Sequence, residues 1–295
     1  MITIDLQSAA DRFADEVADY LRPYQDRLER YSWPMNERAL LGAERLALPF
    51  KQVDGGVADT HALRAVVAQR AREIHLIPEP NRTSQLNELC EFVICEWGAL
   101  DNNGQQTIAG YARKFTSARI PDLSQVKSWE DLKDRAGCKF TFSGISSWSK
   151  WLNFVWNDWA LIYDARTAFS LNAIHFLRSI DAPVFPVPQG RGRLLSSFDS
   201  QSMASLRYLK ARGNRPPDPK DSNEDFVAWL DGAAVPKNAA YVYYLQVMRG
   251  TSKRLGHCGE HALVETEMLL FDLSIRELVR DFITSLNNLI VVTHT

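Results

Sequence analysis

No stretch of this chain approaches the roughly 20 consecutive apolar residues that a bilayer-spanning helix requires, although 45% of its 295 residues are hydrophobic. The opening MITIDLQSAADRF lacks the charged start and apolar run of a secretory leader. The expectation is a cytoplasmic protein with no membrane partner. An excess of positive charge is also missing: 34 Lys and Arg oppose 36 Asp and Glu, leaving a formal charge of −2. That balance excludes a histone-like coat that binds nucleic acid through bulk charge, so any such contact must come from local basic segments. A chain of this length and apolar content can bury a large core, as one big domain or as two helical lobes.

Cysteine is sparse. Cys90, Cys95, Cys138 and Cys258 are scattered through apolar or helical contexts and read as free, buried thiols rather than a disulfide scaffold. Cys258 stands between His257 and His261 in GHCGEHA, but no C-x-x-C pair completes a tetrahedral set, so no metal is expected. Apart from the closing LIVVT at 289–293, no alternating strand pattern of useful length competes with the helical periods. Internal repeats and low-complexity tracts are missing too.

What the chain does contain is helical periodicity. Leu6, Ala10, Phe13, Val17, Tyr20 and Tyr24 recur at three- and four-residue spacing, which predicts one long amphipathic helix over roughly the first 30 residues. The period returns at Leu63, Val66, Val67 and Ile74, and again at Leu86, Leu89, Val93 and Trp97, with Gly98 as a stop. Ser128 before Trp129, Glu130 and Asp131 has the form of a capped helix start, and Ser222 before Asp225 repeats it. The segments 181–193 and 211–223 hold too much Pro and Gly to be helical inside. Helices resume near 238–249, 258–271 and 274–287. The predicted fold is all-α, two helical lobes around a cleft, with residues 1–78 as a helical elaboration packed on a core of residues 79–295.

The segment FSGISSWSKWLNFVWNDWALIYDARTAFSL at 142–171 carries the most information. It reads as a helix end, a tight polar turn near 144–150, a short helix bearing Lys150, and an aspartate opening another helix. A turn leading into a helix N-terminus presents backbone N–H groups, a natural phosphate grip. Asp164 precedes Ala165, Arg166, Thr167 and a helical run through Phe169, Leu171, Ile174, Phe176 and Leu177, the position of an N-cap. Capping alone is worth on the order of 1 kcal/mol and gives the residue a sufficient role. The same geometry also orients a carboxylate where positive charge could develop. Lys150 has two readings as well, a solvated surface lysine or a nucleophile beside a flipped nucleotide. Trp148, Trp151, Trp156 and Trp159 are dense enough to be core, while aromatics of this kind also stack on extruded bases.

At these residues a family resemblance emerges. SGISSWSK followed by IYDAR resembles the helix-hairpin-helix DNA glycosylases, and more closely their bacterial 8-oxoguanine-glycosylase-like branch. The similarity extends to EWGAL at 96–100, YVYYLQVM at 241–248 and VETEMLLF at 264–271, and loosely covers residues 80–275. The resemblance implies a hairpin at Gly144, Ile145 and Ser146, with Ser147 and Ser149 beside it, gripping a DNA phosphate. It makes Asp164 the catalytic aspartate, places Arg166 against the phosphate beside the extruded nucleotide, and sets Lys150 near the family's catalytic lysine. Two departures stand out. The usual GVGxK becomes Gly144, Ile145, Ser146, Ser147, Trp148 and Ser149 before Lys150, so the lysine lies later and nearer the aspartate, and both monofunctional and bifunctional chemistry stay open. Members with an iron–sulfur cluster gather four cysteines near the C-terminus, where this chain has only Cys258, so no cluster and no cofactor are expected.

The implied chemistry suits the parts. Cleaving an N-glycosidic bond develops oxocarbenium character at the sugar, which a fixed carboxylate, Asp164, can stabilise or meet with an oriented water. If Lys150 reached the anomeric carbon it would form a Schiff base and permit strand scission. Duplex DNA with one flipped nucleotide would be the partner, Trp148 and Trp151 candidates to stack on the base or fill its gap, and Lys139, Arg166, Arg191, Arg193, Lys253 and Arg254 candidates for phosphate contacts, since QGRGR and RGTSKR are short basic loops. The branch resemblance implies a modified base as substrate: oxidised guanine, or a hypermodified, glucosylated cytosine of phage DNA in a bacterial defence role. Two other classes remain open, a non-catalytic DNA-binding hairpin module and a helical scaffold that meets no nucleic acid.

Overall fold

A computed structural model describes residues 5–99, 122–136, 140–188, 198–212 and 232–291. The described residues are all-α. Their one β contact is an isolated parallel bridge between Val184 and Ala234. The helices are α1 (Leu6–Leu21), α2 (Glu37–Arg45), α3 (Val57–His75), α4 (Asn81–Glu91), α5 (Trp129–Ala136), α6 (Ile145–Val155), α7 (Ala165–Arg178), α8 (Ser200–Arg212), α9 (Ala240–Leu255), α10 (Ala262–Leu273) and α11 (Val279–Val291). The chain divides into two compact units, one of Met1–Gln25, Tyr163–Cys258 and Thr266–Thr295, the other of Asp26–Ile162 and Gly259–Glu265. The expected boundary at residue 78 falls inside the second unit, between α3 and α4, which pack on each other.

The first unit is organised by α7. Every residue from Thr167 to Phe176 is buried, as befits a helix enclosed on all sides. It touches α1, α8 and α11, and each of its large apolar side chains contributes roughly 1.5–3 kcal/mol by leaving water. The loop after α7 is pinned to it through polar groups. Asn172 Nδ2 donates to Phe185 O at 2.9 Å and its Oδ1 accepts from Phe185 N at 2.8 Å, while the Tyr163 hydroxyl donates to Pro186 O at 2.7 Å. The carboxylate of Asp5 caps α1 by accepting from the amides of Gln7 and Ser8, and α1 then packs along α9, with Ala14 facing Gly250 and its carbonyl accepting from the Thr251 hydroxyl. It stops at Leu21, short of the length predicted from its periodicity. Pro23 has no N–H for the next α-helical bond, and residues Arg22–Arg30 continue as 3-10 turns.

In the second unit α3 packs on α4 and α6. The residue Asp59 near its start holds the preceding loop, accepting from the amides of Val53, Asp54 and Gly55 at 2.7–2.9 Å. These bonds lower its pKa although burial opposes them. Helix α4 runs on into a π-helical turn, Phe92–Trp97, closed by Gly98 where the stop was expected. Ser128 caps α5 as its sequence suggests: its Oγ accepts from Asp131 N and Asp131 answers by accepting from Lys127 N, both at 3.1 Å. Trp156 and Trp159 stack at 5.8 Å and donate to Leu123 O and Val126 O, so both are structural.

Three local expectations change. LIVVT is helical through Val291. RGTSKR is the end of α9, not a loop. The polar turn at 144–150 is helical from Ile145 onward, entered through a 3-10 turn at Phe142–Gly144. The cap expected at Ser222 lies outside the described residues.

Candidate functional site

Asp164 sits where the helical period places it. Its backbone is extended, φ −127° and ψ −176°, and its Oδ1 accepts from Arg166 N at 2.9 Å and Thr167 N at 3.1 Å. These are two of the N–H groups that any helix start leaves without an intrahelical partner. The side chain is half-buried, so the carboxylate is fixed by its cap and still borders solvent.

The surroundings of Asp164 in the first unit are richer in ionisable groups than a plain cap requires. The Arg166 guanidinium lies over the Phe271 ring at 4.3 Å from its centroid, a cation–π contact with α10. One helical turn earlier on that same face of α10 stands Glu267, 3% exposed. The Tyr244 hydroxyl of α9 donates to Glu267 Oε1 at 3.2 Å, and the Tyr244 ring packs edge-on against Tyr163 at 5.2 Å. Burial, foremost, and the negative charges of Glu267 and Asp164 push the Tyr244 phenol well up, so it stays a proton donor. Tyr244 and Glu267 were not singled out from the sequence, although both lie in the YVYYLQVM and VETEMLLF segments. The available signal was a glutamate in phase with Leu263 and Leu270 on an otherwise apolar helix face.

The Lys150 region belongs to the second unit. Gly144 precedes α6 without a side-chain cap, and Ser146 and Ser147, both half-buried, open the helix. Lys150 Nζ donates to Ser146 O at 2.9 Å. Its stem crosses Gly98, where a Cβ would come within 3.0 Å of Lys150 Cδ and 2.5 Å of Ile94 O. EWGAL therefore meets the lysine-bearing helix, and Glu96 is held by Arg45 at 2.9 Å.

Several of the residues expected to contact DNA are engaged within the protein. Trp148 is 2% and Trp151 1% exposed. Trp148 stacks on Trp129 at 5.3 Å and donates to Thr141 O, so both tryptophans are core and would have to unpack to meet a base. The Ile145 and Ser149 side chains are buried, and Ser149 lies in the helix interior, where its amide belongs to the helical ladder. Arg254 is paired with Asp15, and more distantly with Asp11, on α1, which makes it a helix clamp. Lys253 is exposed in the last turn of α9. Lys139, Arg191 and Arg193 lie outside the described residues.

The GHCGEHA residues go separate ways. Cys258 is exposed, contrary to the expectation of a buried thiol, whereas Cys90 and Cys95 are buried and Cys138 is outside the described residues. His257 pairs with Thr266 at 2.9 Å. His261 stacks on His61 at 3.9 Å, with His61 Nε2 3.3 Å from Glu265 Oε1. Among the described residues no group of three or more His, Cys, Asp or Glu could hold a metal ion, and no helix is long and apolar enough to cross a membrane.

Compared with known proteins, the chain matches no family model, no curated protein and no solved structure.

Proposed function

We propose that this protein is a helix-hairpin-helix-type DNA glycosylase, an enzyme that turns a modified base out of duplex DNA and cleaves its N-glycosidic bond. The observation that carries this reading is Asp164: a carboxylate fixed by two amides at the head of α7, with the guanidinium of Arg166 over the Phe271 ring beside it. As the bond to the base lengthens, positive charge grows on the sugar, and a carboxylate already oriented by its cap stabilises that charge without reorganising. Water, positioned by the same carboxylate, then attacks the anomeric carbon, and the base leaves with the bonding electrons and is protonated. Lys150, with its ammonium bonded to Ser146 O, favours hydrolysis without a Schiff base over strand scission. The start of α6 at Gly144, Ser146 and Ser147, which has no side-chain cap, supports a phosphate grip in the second unit; in the first unit Arg166 and Lys253 are candidate phosphate contacts in their own right.

The substrate class in this reading is a modified base of DNA, with glucosylated hydroxymethylcytosine of phage DNA, removed in defence, placed ahead of 8-oxoguanine repair. The test is base release from two DNA pools, one oxidised and one from a phage with glucosylated cytosine, using wild type beside Asp164→Asn. Release from the phage pool that disappears in the variant supports the reading. Release from the oxidised pool alone moves the substrate to oxidised guanine.

A second reading has its own observation. The two cap bonds of Asp164 explain its presence without chemistry, which suits a non-catalytic DNA-binding module. No release from either pool, with duplex binding that weakens steeply as salt rises, would select that module. No duplex binding at low salt would select a scaffold instead.

A further inference from the structure

We infer that the first turn of α10 is fastened to α3 by an acid-sensitive clasp, the face-to-face pair of His61 and His261, so that this turn loosens as pH falls below the neutral range. His61 lies in the second turn of α3 and His261 immediately before α10. Their rings stack at 3.9 Å between centroids and 16° between planes, and His61 Nε2 stands 3.3 Å from Glu265 Oε1 on α10. All three residues belong to the second unit. The chain just before the clasp has room to move: Gly259 holds a φ of +99° that other residues rarely adopt, and a Cβ there would meet nothing within 4 Å.

The arrangement suits neutral rings better than charged ones. A carboxylate accepts only, so the contact with Glu265 places the proton of neutral His61 on Nε2 and leaves Nδ1 bare. Nδ1 is buried and has no hydrogen-bond partner among the described residues, so a second proton there would meet no acceptor. Were both rings charged, two cations would stack in a partly buried site, where their repulsion is stronger than in water. Burial first, then His261 and then Arg64, one turn along α3, hold the His61 pKa below its usual 6.5, while Glu265 works the other way. Glu260 stands 3.4 Å from His261 but is largely exposed and screened. Helix α6, which packs on α3, brings Phe154 to Arg64, and its one ionisable side chain, Lys150, is bonded to Ser146 O. Helix α4 meets α3 further along, where Arg70 reaches Gln85, and Asp122 lies within electrostatic reach of Arg72 and His75. When the turn opens, His61 returns to a pKa near 6.5, above its value in the clasp. The open form therefore takes up the proton first as pH falls: the clasp is at full strength above 6.5 and weakens below it.

Hydrogen exchange of the full chain tests this. The amides of Ala262 and Glu265 donate to Gly259 O and His261 O, so they report the first turn of α10 directly. Their protection factors, which remove the intrinsic pH dependence of exchange, are followed from about pH 7.5 to about 5.5, with amides in the middle of α3 as the measure of global opening. Wild type is expected to lose protection at the two amides several-fold, and by no more than about tenfold for one proton taken up between about pH 6.5 and 5.5, while α3 stays unchanged. His61→Gln keeps an N–H for Glu265 but cannot take up the proton, and is expected to flatten the response. Protection in wild type that holds or rises on acidification overturns the clasp, because the pair of His61 with Glu265 would then dominate. A loss shared equally by α3, or one that survives in His61→Gln, overturns it too. Should His61→Gln not fold, His261→Phe decides in its place, since it keeps a stacked ring and removes one of the charges: a shallower response supports the clasp, and an unchanged one removes it.

Discussion

The ammonium of Lys150 is bonded to the main chain of its own helix, Nζ to Ser146 O at 2.9 Å. A Schiff-base lysine must be deprotonated and reach the anomeric carbon, and here the side chain is drawn back toward the helix start and laid across Gly98. Borohydride should therefore trap no covalent adduct between the protein and its substrate DNA. Lys150→Gln should retain base release within a few-fold. Efficient trapping in wild type, lost in that variant, would show that the lysine leaves Ser146 to do chemistry.

Asp164 invites a separation of capping from catalysis. Asn and Asp are comparable N-caps, while Ala at such a position costs about 1 kcal/mol. Asp164→Asn should leave the urea midpoint close to wild type, and Asp164→Ala should lower it. Base release should fall in both by roughly 10²–10³-fold, the usual scale for one electrostatic stabiliser. If release instead tracks stability, intact in Asn and reduced in Ala, the residue is only a cap.

The contrast between Asp164 and Glu267 marks where sequence reading reaches its limit. A helix cap is local, so an aspartate before Ala165, Arg166 and Thr167 can be placed by pattern alone, and the all-α class follows from the same periodicity. The place of Glu267 becomes intelligible only when tertiary packing brings the Tyr244 hydroxyl of α9 to it, a pairing that no local pattern announces. Trp148 reads equally well as core or as a stacking ring until Trp129 closes over it at 5.3 Å. The glycine in RGTSKR suggests a loop, but in the structure Gly250 is helical because another helix lies against it.

The core histidine of α7 predicts a pH response. His175 is 1% exposed with Nε2 2.7 Å from Ala182 O, and burial lowers its pKa from 6.5 to about 4. A folded pKa below the unfolded one means that the unfolded chain takes up a proton first as pH falls. Stability should thus be unaffected by this group above pH 6.5 and decline between 6.5 and about 4, by at most about 3 kcal/mol. His175→Gln should flatten that part of the stability profile, measured by urea unfolding at a series of pH values, whatever it costs at pH 8. An unchanged acid slope would show that other groups carry it.

Gly250 sets two opposing effects against each other. Replacing a glycine inside an exposed helix with alanine gains about 1 kcal/mol of helix propensity. At Gly250, however, a Cβ would stand 2.7 Å from Ala14 Cβ and 2.9 Å from the Arg254 guanidinium. The guanidinium is the end of a flexible side chain and can yield, though at the expense of its pairing with Asp15. Ala14 Cβ cannot yield, since it is bonded directly to the backbone of α1, and relief requires α1 to move off α9, the helix it packs along. Overpacking of this kind costs about 1–3 kcal/mol, which outweighs the propensity gain. Gly250→Ala should therefore lower the urea midpoint, and Ala14→Gly in the same chain should recover part of the loss by vacating the clash. A Gly250→Ala variant more stable than wild type would mean that the two helices have room to spare.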